Sequence, residues 1–254
     1  MNTQKKIPAW IALPSSGVAW VLAALFTMFF FTVGLIVYPF FWLIERDKGG
    51  AMHAIAVMWA RSIMLVNPLW VLKVTGHENI EPGKHYVVVG NHQSMLDILV
   101  VLAGLPLHFK FIAKKELFPI PFIGWHMSLA GYIPLDRDSR KSGKATMEKA
   151  AEWVARKVSV LFFPEGTRSA DGEIQAFKSG AFKIAFDQKV DVLPLVIDGT
   201  GAALPKNSRV HTARSPLLVA IQKPVSSASA ASVDELKEKV RAQMAGRLAE
   251  IRRA

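Results

Sequence analysis

The 254 residues are 51% hydrophobic and carry 31 Lys and Arg against 20 Asp and Glu, a formal net charge of +11. A positively charged, apolar chain suits an anionic phospholipid surface, whereas a nucleic-acid partner has no use for the 38 consecutive uncharged residues from Ile7 to Ile44. The absence of cysteine excludes disulfides, thiolate metal sites and a cysteine nucleophile.

The segment from Gly17 to Ile44 would extend roughly 40 Å as a helix, more than the hydrocarbon core of about 30 Å. It is well beyond the about 7 to 15 apolar residues of a cleavable signal, and no small-x-small site precedes Glu45, so it reads as a retained anchor. Gly34 and Pro39 are its candidate kinks. A second mostly apolar stretch runs from Ala51 to Leu72, and the two together predict a membrane-associated helical hairpin over residues 1–72. Lys5 and Lys6 then lie on the same side as the rest of the chain, and positive residues favour the cytoplasmic face.

Residues 73–254 read as an α/β domain with a largely parallel sheet flanked by helices. Strand-like runs at Tyr86–Gly90, Leu107–Ala113, Tyr132–Leu135, Val158–Phe163 and Val192–Ile197 alternate with helical patterns. The helices are expected around Met95–Ala103, Leu117–Ala130, Ala145–Lys157 and Ser179–Gln188. After a linker at Ser226–Ser232, the residues Val233, Leu236, Val240, Met244, Leu248 and Ile251 recur at helical spacing. The opposite face carries Lys237, Arg241, Arg247, Arg252 and Arg253, either as a solvated basic face or as a headgroup contact.

Directly after the Tyr86–Gly90 run comes Asn91-His92-Gln93-Ser94-Met95-Leu96-Asp97. Ser94 reads as a helix N-cap with Asp97 in the first turn, which leaves His92 in the turn before that helix. Asp97 could accept from one imidazole nitrogen, fixing the tautomer and leaving the other nitrogen as a base. The plainer alternative is a capping Asp97 beside an ordinary loop histidine, and spacing alone does not choose. His53, His77, His85, His108, His126 and His211 have no acid at that spacing in a strand-to-helix turn. The chain has no Gly-x-Ser-x-Gly, His-Glu-x-x-His or P-loop pattern.

Three further blocks follow: Gly131-Tyr132-Ile133-Pro134-Leu135-Asp136-Arg137, Phe163-Pro164-Glu165-Gly166-Thr167-Arg168-Ser169 and Val192-Leu193-Pro194-Leu195-Val196. With the His92 heptapeptide, and in this order, they resemble the four motifs of the glycerophospholipid acyltransferase family. Pro134-Leu135 stands where an aromatic-aliphatic pair is common, and the fourth block lacks a second proline.

The resemblance implies that His92 deprotonates an acceptor hydroxyl with support from Asp97, and that the hydroxyl attacks an acyl thioester of coenzyme A or acyl carrier protein. That chemistry calls for no metal, no cofactor and no covalent enzyme intermediate. It implies acceptor binding at Arg137, Glu165, Gly166, Thr167 and Arg168, where guanidinium forks suit a phosphate. Lys114 is a further candidate, and backbone amides near Ser94 are candidates to stabilise the oxyanion. Phe118, Phe122, Trp125 and Met127 fit either an acyl-chain pocket or a buried helix.

The expected acceptor is 1-acylglycerol 3-phosphate, that is, lysophosphatidic acid, giving phosphatidic acid. The expected setting is the cytoplasmic face of a bacterial inner membrane, with the lipid bilayer and not nucleic acid as partner. Another lysophospholipid or lyso-aminolipid acceptor, a thioesterase, and a non-catalytic module that binds anionic lipid are the alternatives.

Overall fold

The computed structural model describes residues 5–6, 8–45, 49–136, 139–211 and 213–253. A two-residue strand, β1 (Lys5–Lys6), precedes one unbroken helix, α1 (Ala9–Glu45), which carries both Gly34 and Pro39 without a break. The second helix, α2 (Gly50–Val66), packs back along α1, and Trp59 Nε1 donates to Thr27 Oγ1 across the pair at 3.0 Å. The apolar run expected to stay helical to Leu72 instead turns at Asn67 and Pro68 and enters strand β2 (Trp70–Thr75). Pro68 lacks the N–H that would continue the helix.

There follow β3 (Val87–Gly90), α3 (Leu96–Gly104), β4 (Phe109–Lys114), α4 (Ile123–Leu129), β5 (Ile133–Leu135), α5 (Arg140–Ala155), β6 (Ser159–Phe162), α6 (Gly180–Gln188), β7 (Val192–Asp198), α7 (Thr200–Ala203), β8 (Ala213–Ile221) and α8 (Val233–Arg253). The sheet order is β1-β8-β7-β3-β6-β4-β5, with β2 also paired to β8. β7, β3, β6, β4 and β5 are mutually parallel, while β8 joins β7 antiparallel. The helix expected over Leu117–Ala130 is shortened by Pro119 and Pro121 and begins only at Ile123. Phe122, just before it, sits at φ 65° and ψ −68° in a tight three-residue turn closed by Ile123 N donating to Pro121 O.

Period-two alternation divides each central strand between two cores. Val88, Leu161, Leu193 and Leu195 face α2 and α3, whereas Val87, Val160, Phe162 and Val196 face α5, α6 and α8. Leu236, Val240, Met244 and Leu248 are the buried stripe of α8, as its spacing predicts. The helices thus cover both faces of the sheet and leave the carboxyl ends of the parallel strands open.

Along α1 a narrow stripe including Ala12, Ser16 and Phe31 is buried, while Val18, Val21, Leu25, Phe29, Ile36, Phe40 and Leu43 stay exposed. Both ends of the helix are near the α/β body. β1 pairs with Arg214 and Ala213 of β8, Trp20 Nε1 donates to Arg209 O at 2.7 Å, and Gly49, just before α2, approaches Ala130 and Lys110.

Candidate active site

Ligands of open α/β sheets gather beyond the carboxyl ends of parallel strands, and loops leaving four such strands meet here. β3 leads to His92, β6 to Glu165, β7 to Thr200, and β4 ends on Lys114. Because β3 lies between β6 and β7, the His92 turn is flanked by both neighbouring loops.

Asn91 fastens that turn. Its buried amide donates to Ile197 O at 2.9 Å and accepts from Ile197 N at 2.7 Å, standing in for a backbone rung against β7. The next residue is thereby released from the sheet and directed into the opening.

Asp97 is fully buried. Its Oδ2 accepts from His92 Nδ1 at 2.6 Å, Gln93 N at 2.7 Å and Ser94 N at 2.8 Å, and its Oδ1 accepts from the Thr200 hydroxyl. A buried carboxylate costs several kcal/mol unless its lone pairs are matched, and these four donors match them. Asp97 therefore bonds both the backbone of the turn and the imidazole. In the neutral ring the proton sits on Nδ1, which leaves the Nε2 lone pair free. Phe163 stacks on the imidazole with ring centroids 4.3 Å apart.

Ser94 is not the N-cap expected from its position. The helix opens at Leu96, and the Ser94 hydroxyl donates to Leu204 O at 2.7 Å, with only a 3.3 Å contact from Leu96 N. The amides of Gln93 and Ser94 are occupied by Asp97, which takes these two out of the candidates for an oxyanion.

Glu165 ties the β6 loop to the His92 turn. Its Oε1 accepts from His92 N at 2.9 Å and its Oε2 from Gln175 N at 3.4 Å, so the carboxylate orders backbone and does not contact Arg168. Burial pushes its carboxyl up to about 7, against the lowering effect of those two bonds.

Gly166 has φ 74°, and a Cβ there would lie 2.7 Å from Lys178 Nζ, so glycine both permits the turn and leaves room for the lysine stem. Lys178, absent from the sequence reading, lines the same opening as His92, Lys114, Gly166, Thr167 and Arg168. Lys115, adjacent to Lys114, is neutralised by Asp136. Arg137 lies outside the described residues.

The opening continues into a cavity of about 1660 Å³ walled by Phe30 and Phe31 of α1, Trp59 of α2, Leu99 and Leu102 of α3, and Phe122 and Met127. Small-molecule sites commonly occupy about 300 to 1,000 Å³, so this one is of lipid size. Of the four residues tied to an acyl pocket or a buried helix, Phe122 and Met127 line it, Trp125 does not and is about half exposed, and Phe118 is only half-buried.

Thr200 and Lys178 escaped the sequence because their meaning is positional. Thr200 follows the strand run that ends near Asp198, but only the order β7-β3 sets it beside Asp97. Lys178 lies ten residues past Arg168 and returns through Lys178 N donating to Pro164 O at 2.9 Å.

An acyltransferase family model matches residues 71–198. A chloroplastic 1-acyl-sn-glycerol-3-phosphate acyltransferase of Arabidopsis thaliana is 37% identical over 81% of this chain and 57% of its own length. The 1-acyl-sn-glycerol-3-phosphate acyltransferase of Saccharomyces cerevisiae is 36% identical over 80% of this chain and 69% of its own. The chain thus spans well under two thirds of the plant relative. The crystal structure of the 1-acyl-sn-glycerophosphate acyltransferase of Thermotoga maritima superimposes with a TM-score of 0.70 at 29% identity, covering 92% of this chain and 98% of that one.

Proposed function

Because the chain belongs to the acyltransferase family, we propose that it transfers a fatty acyl group from an acyl thioester to the sn-2 hydroxyl of 1-acylglycerol 3-phosphate, forming phosphatidic acid. The observation that carries this reading is the His92–Asp97 pair at 2.6 Å, opening on a lipid-sized apolar cavity whose mouth holds Lys114, Arg168 and Lys178.

In the proposed reaction His92 Nε2 takes the proton of the acceptor hydroxyl as its oxygen attacks the thioester carbonyl. Asp97 holds the imidazole and stabilises the imidazolium that forms. Collapse of the tetrahedral intermediate breaks the carbon–sulfur bond, and the departing thiolate recovers the proton from His92. The acceptor's phosphate is read as lying among Arg168, Lys178 and Lys114, with Arg137 a further candidate. The chemistry needs no cofactor beyond the donor, either acyl-CoA or acyl carrier protein.

The exposed apolar face of α1 supports membrane association. The nearness of both helix ends to the α/β body favours a helix lying in one leaflet, with the site open to lipid from the side. Lys5 and Lys6, just before the apolar helix, favour the cytoplasmic face of a bacterial inner membrane.

The deciding experiment measures phosphatidic acid formed from 1-acylglycerol 3-phosphate with each donor, comparing wild type with His92→Ala. Product from wild type and a loss of about 10²- to 10⁴-fold in the variant is the expected result. Equal activity in the two proteins would sink the His92 mechanism, and no product with either donor would sink the acceptor assignment.

A further inference from the structure

The 17 residues from Phe163 to Ser179 join β6 to α6 without helix or strand and carry Glu165, Gly166, Thr167, Arg168 and Lys178. Connections in α/β units commonly run about 2 to 6 residues, so something must hold this one. Its near half is tied to the base, through Glu165 to His92 N and through Ser169 N donating to His92 O at 2.7 Å.

Its tip, Gly172 and Glu173, is held by side chains from elsewhere in the chain. Gln93 Nε2 donates to Gly172 O at 3.3 Å and to Ile197 O at 3.0 Å. Arg252, in the last turn of α8, donates to Gly172 O at 2.9 Å, to the Glu173 carboxylate and to Asp198 Oδ1 at 3.3 Å. Gly172 has φ 78°, and a Cβ there would lie 2.8 Å from Arg252 Nη2, so glycine lets the guanidinium close on the loop.

Neighbouring cations of α8 behave differently. Lys237, Arg241 and Arg247 pair with Asp234, Glu238 and Glu250 of their own helix, and Arg253 donates to Ala249 O. Arg252 also lies beyond the family match at residues 71–198.

We propose that Arg252 is a positioning residue whose guanidinium clasps the tip of the 163–179 loop to Asp198 at the carboxyl end of β7, and so sets Thr167, Arg168 and Lys178 for the acceptor's phosphate. A planar fork reaches the loop tip and the strand end at once, which a lysine ammonium reproduces only in part. None of the four bonds to Asp97 involves Arg252, and Glu165 and Ser169 hold the near half of the loop to His92 without it, so the effect is expected chiefly on acceptor binding. The acceptor half of the proposal rests on the function proposed above; the clasp does not.

The test uses the full chain in detergent micelles and compares wild type, Arg252→Ala, Arg252→Lys and, as control, Arg253→Ala. Amide hydrogen exchange over residues 165–176 is measured alongside phosphatidic acid formation at varied 1-acylglycerol 3-phosphate. Arg252→Ala is expected to speed exchange in the loop about tenfold and to raise KM about tenfold with kcat within about twofold. Arg252→Lys recovers part of both, and Arg253→Ala matches wild type. Unchanged exchange in Arg252→Ala overturns the clasp, and faster exchange at unchanged KM overturns its link to the acceptor. A wild type that makes no phosphatidic acid sinks the acceptor assignment and the acceptor half with it, while exchange still decides the clasp.

Discussion

Thr200 commits its hydroxyl to the Asp97 oxygen that His92 does not use. Removing that donor leaves a buried carboxylate oxygen unmatched, at about 1 to 3 kcal/mol. Thr200→Val should therefore lower kcat about tenfold at nearly constant KM, and Thr200→Ser should restore it; steady-state kinetics on the pair checks both. Glu165 sets a stability effect of known sign. Its folded carboxyl titrates at about 7, above the ordinary value of 4.5, so the folded state holds a proton that the unfolded chain releases. Stability is unaffected below pH 4.5, falls as the pH rises from 4.5 to 7, and stays lowered by on the order of 3 kcal/mol above that. In Glu165→Gln that decline should flatten, which thermal unfolding across this pH window measures.

At the scale of elements, the β6 loop depends on Gly166. Alanine there meets a left-handed backbone at φ 74° and the Lys178 stem, whose far end must swing away. Gly166→Ala is expected to destabilise the fold by about 1 kcal/mol and to raise KM for the acceptor, as read by denaturant unfolding and kinetics together. The helix elements were largely legible from pattern. α8 shows its six apolar positions at helical spacing, and α3, α5 and α6 lie within a few residues of their expected spans. The strands β2 and β8 were not. Trp70–Thr75 continues an apolar run that reads as helix, and Pro216 interrupts β8 in a way that ordinarily demotes a strand.

For the whole molecule, α1 presents one stripe to the protein and the rest outward. Leu25 and Phe29 are 52% and 59% exposed. Burying such a side chain in an apolar medium contributes about 1.5 to 3 kcal/mol each. Since about half of each side chain is available, Leu25→Ser with Phe29→Ser should weaken partition into anionic phospholipid vesicles about 10- to 100-fold, while thermal unfolding of the α/β body changes little. Cosedimentation with vesicles measures the first and calorimetry the second.

The chain by itself determined the long apolar N-terminal helix and the alternation of strand and helix, and it marked His92 and Asp97 as a candidate pair, because each is written in local order: an uninterrupted apolar run, a period of two or 3.6, an acid five residues from a histidine. Sheet order, and all that follows from it, belonged to the tertiary structure. Thr200 stands 103 residues from Asp97, and Arg252 79 residues from Glu173. These contacts exist because parallel strands deliver their carboxyl ends to one edge, and because α8 packs across the sheet to reach it. No spacing encodes such neighbours, since the separation between strands in the chain is set by the intervening helices and not by their distance in space.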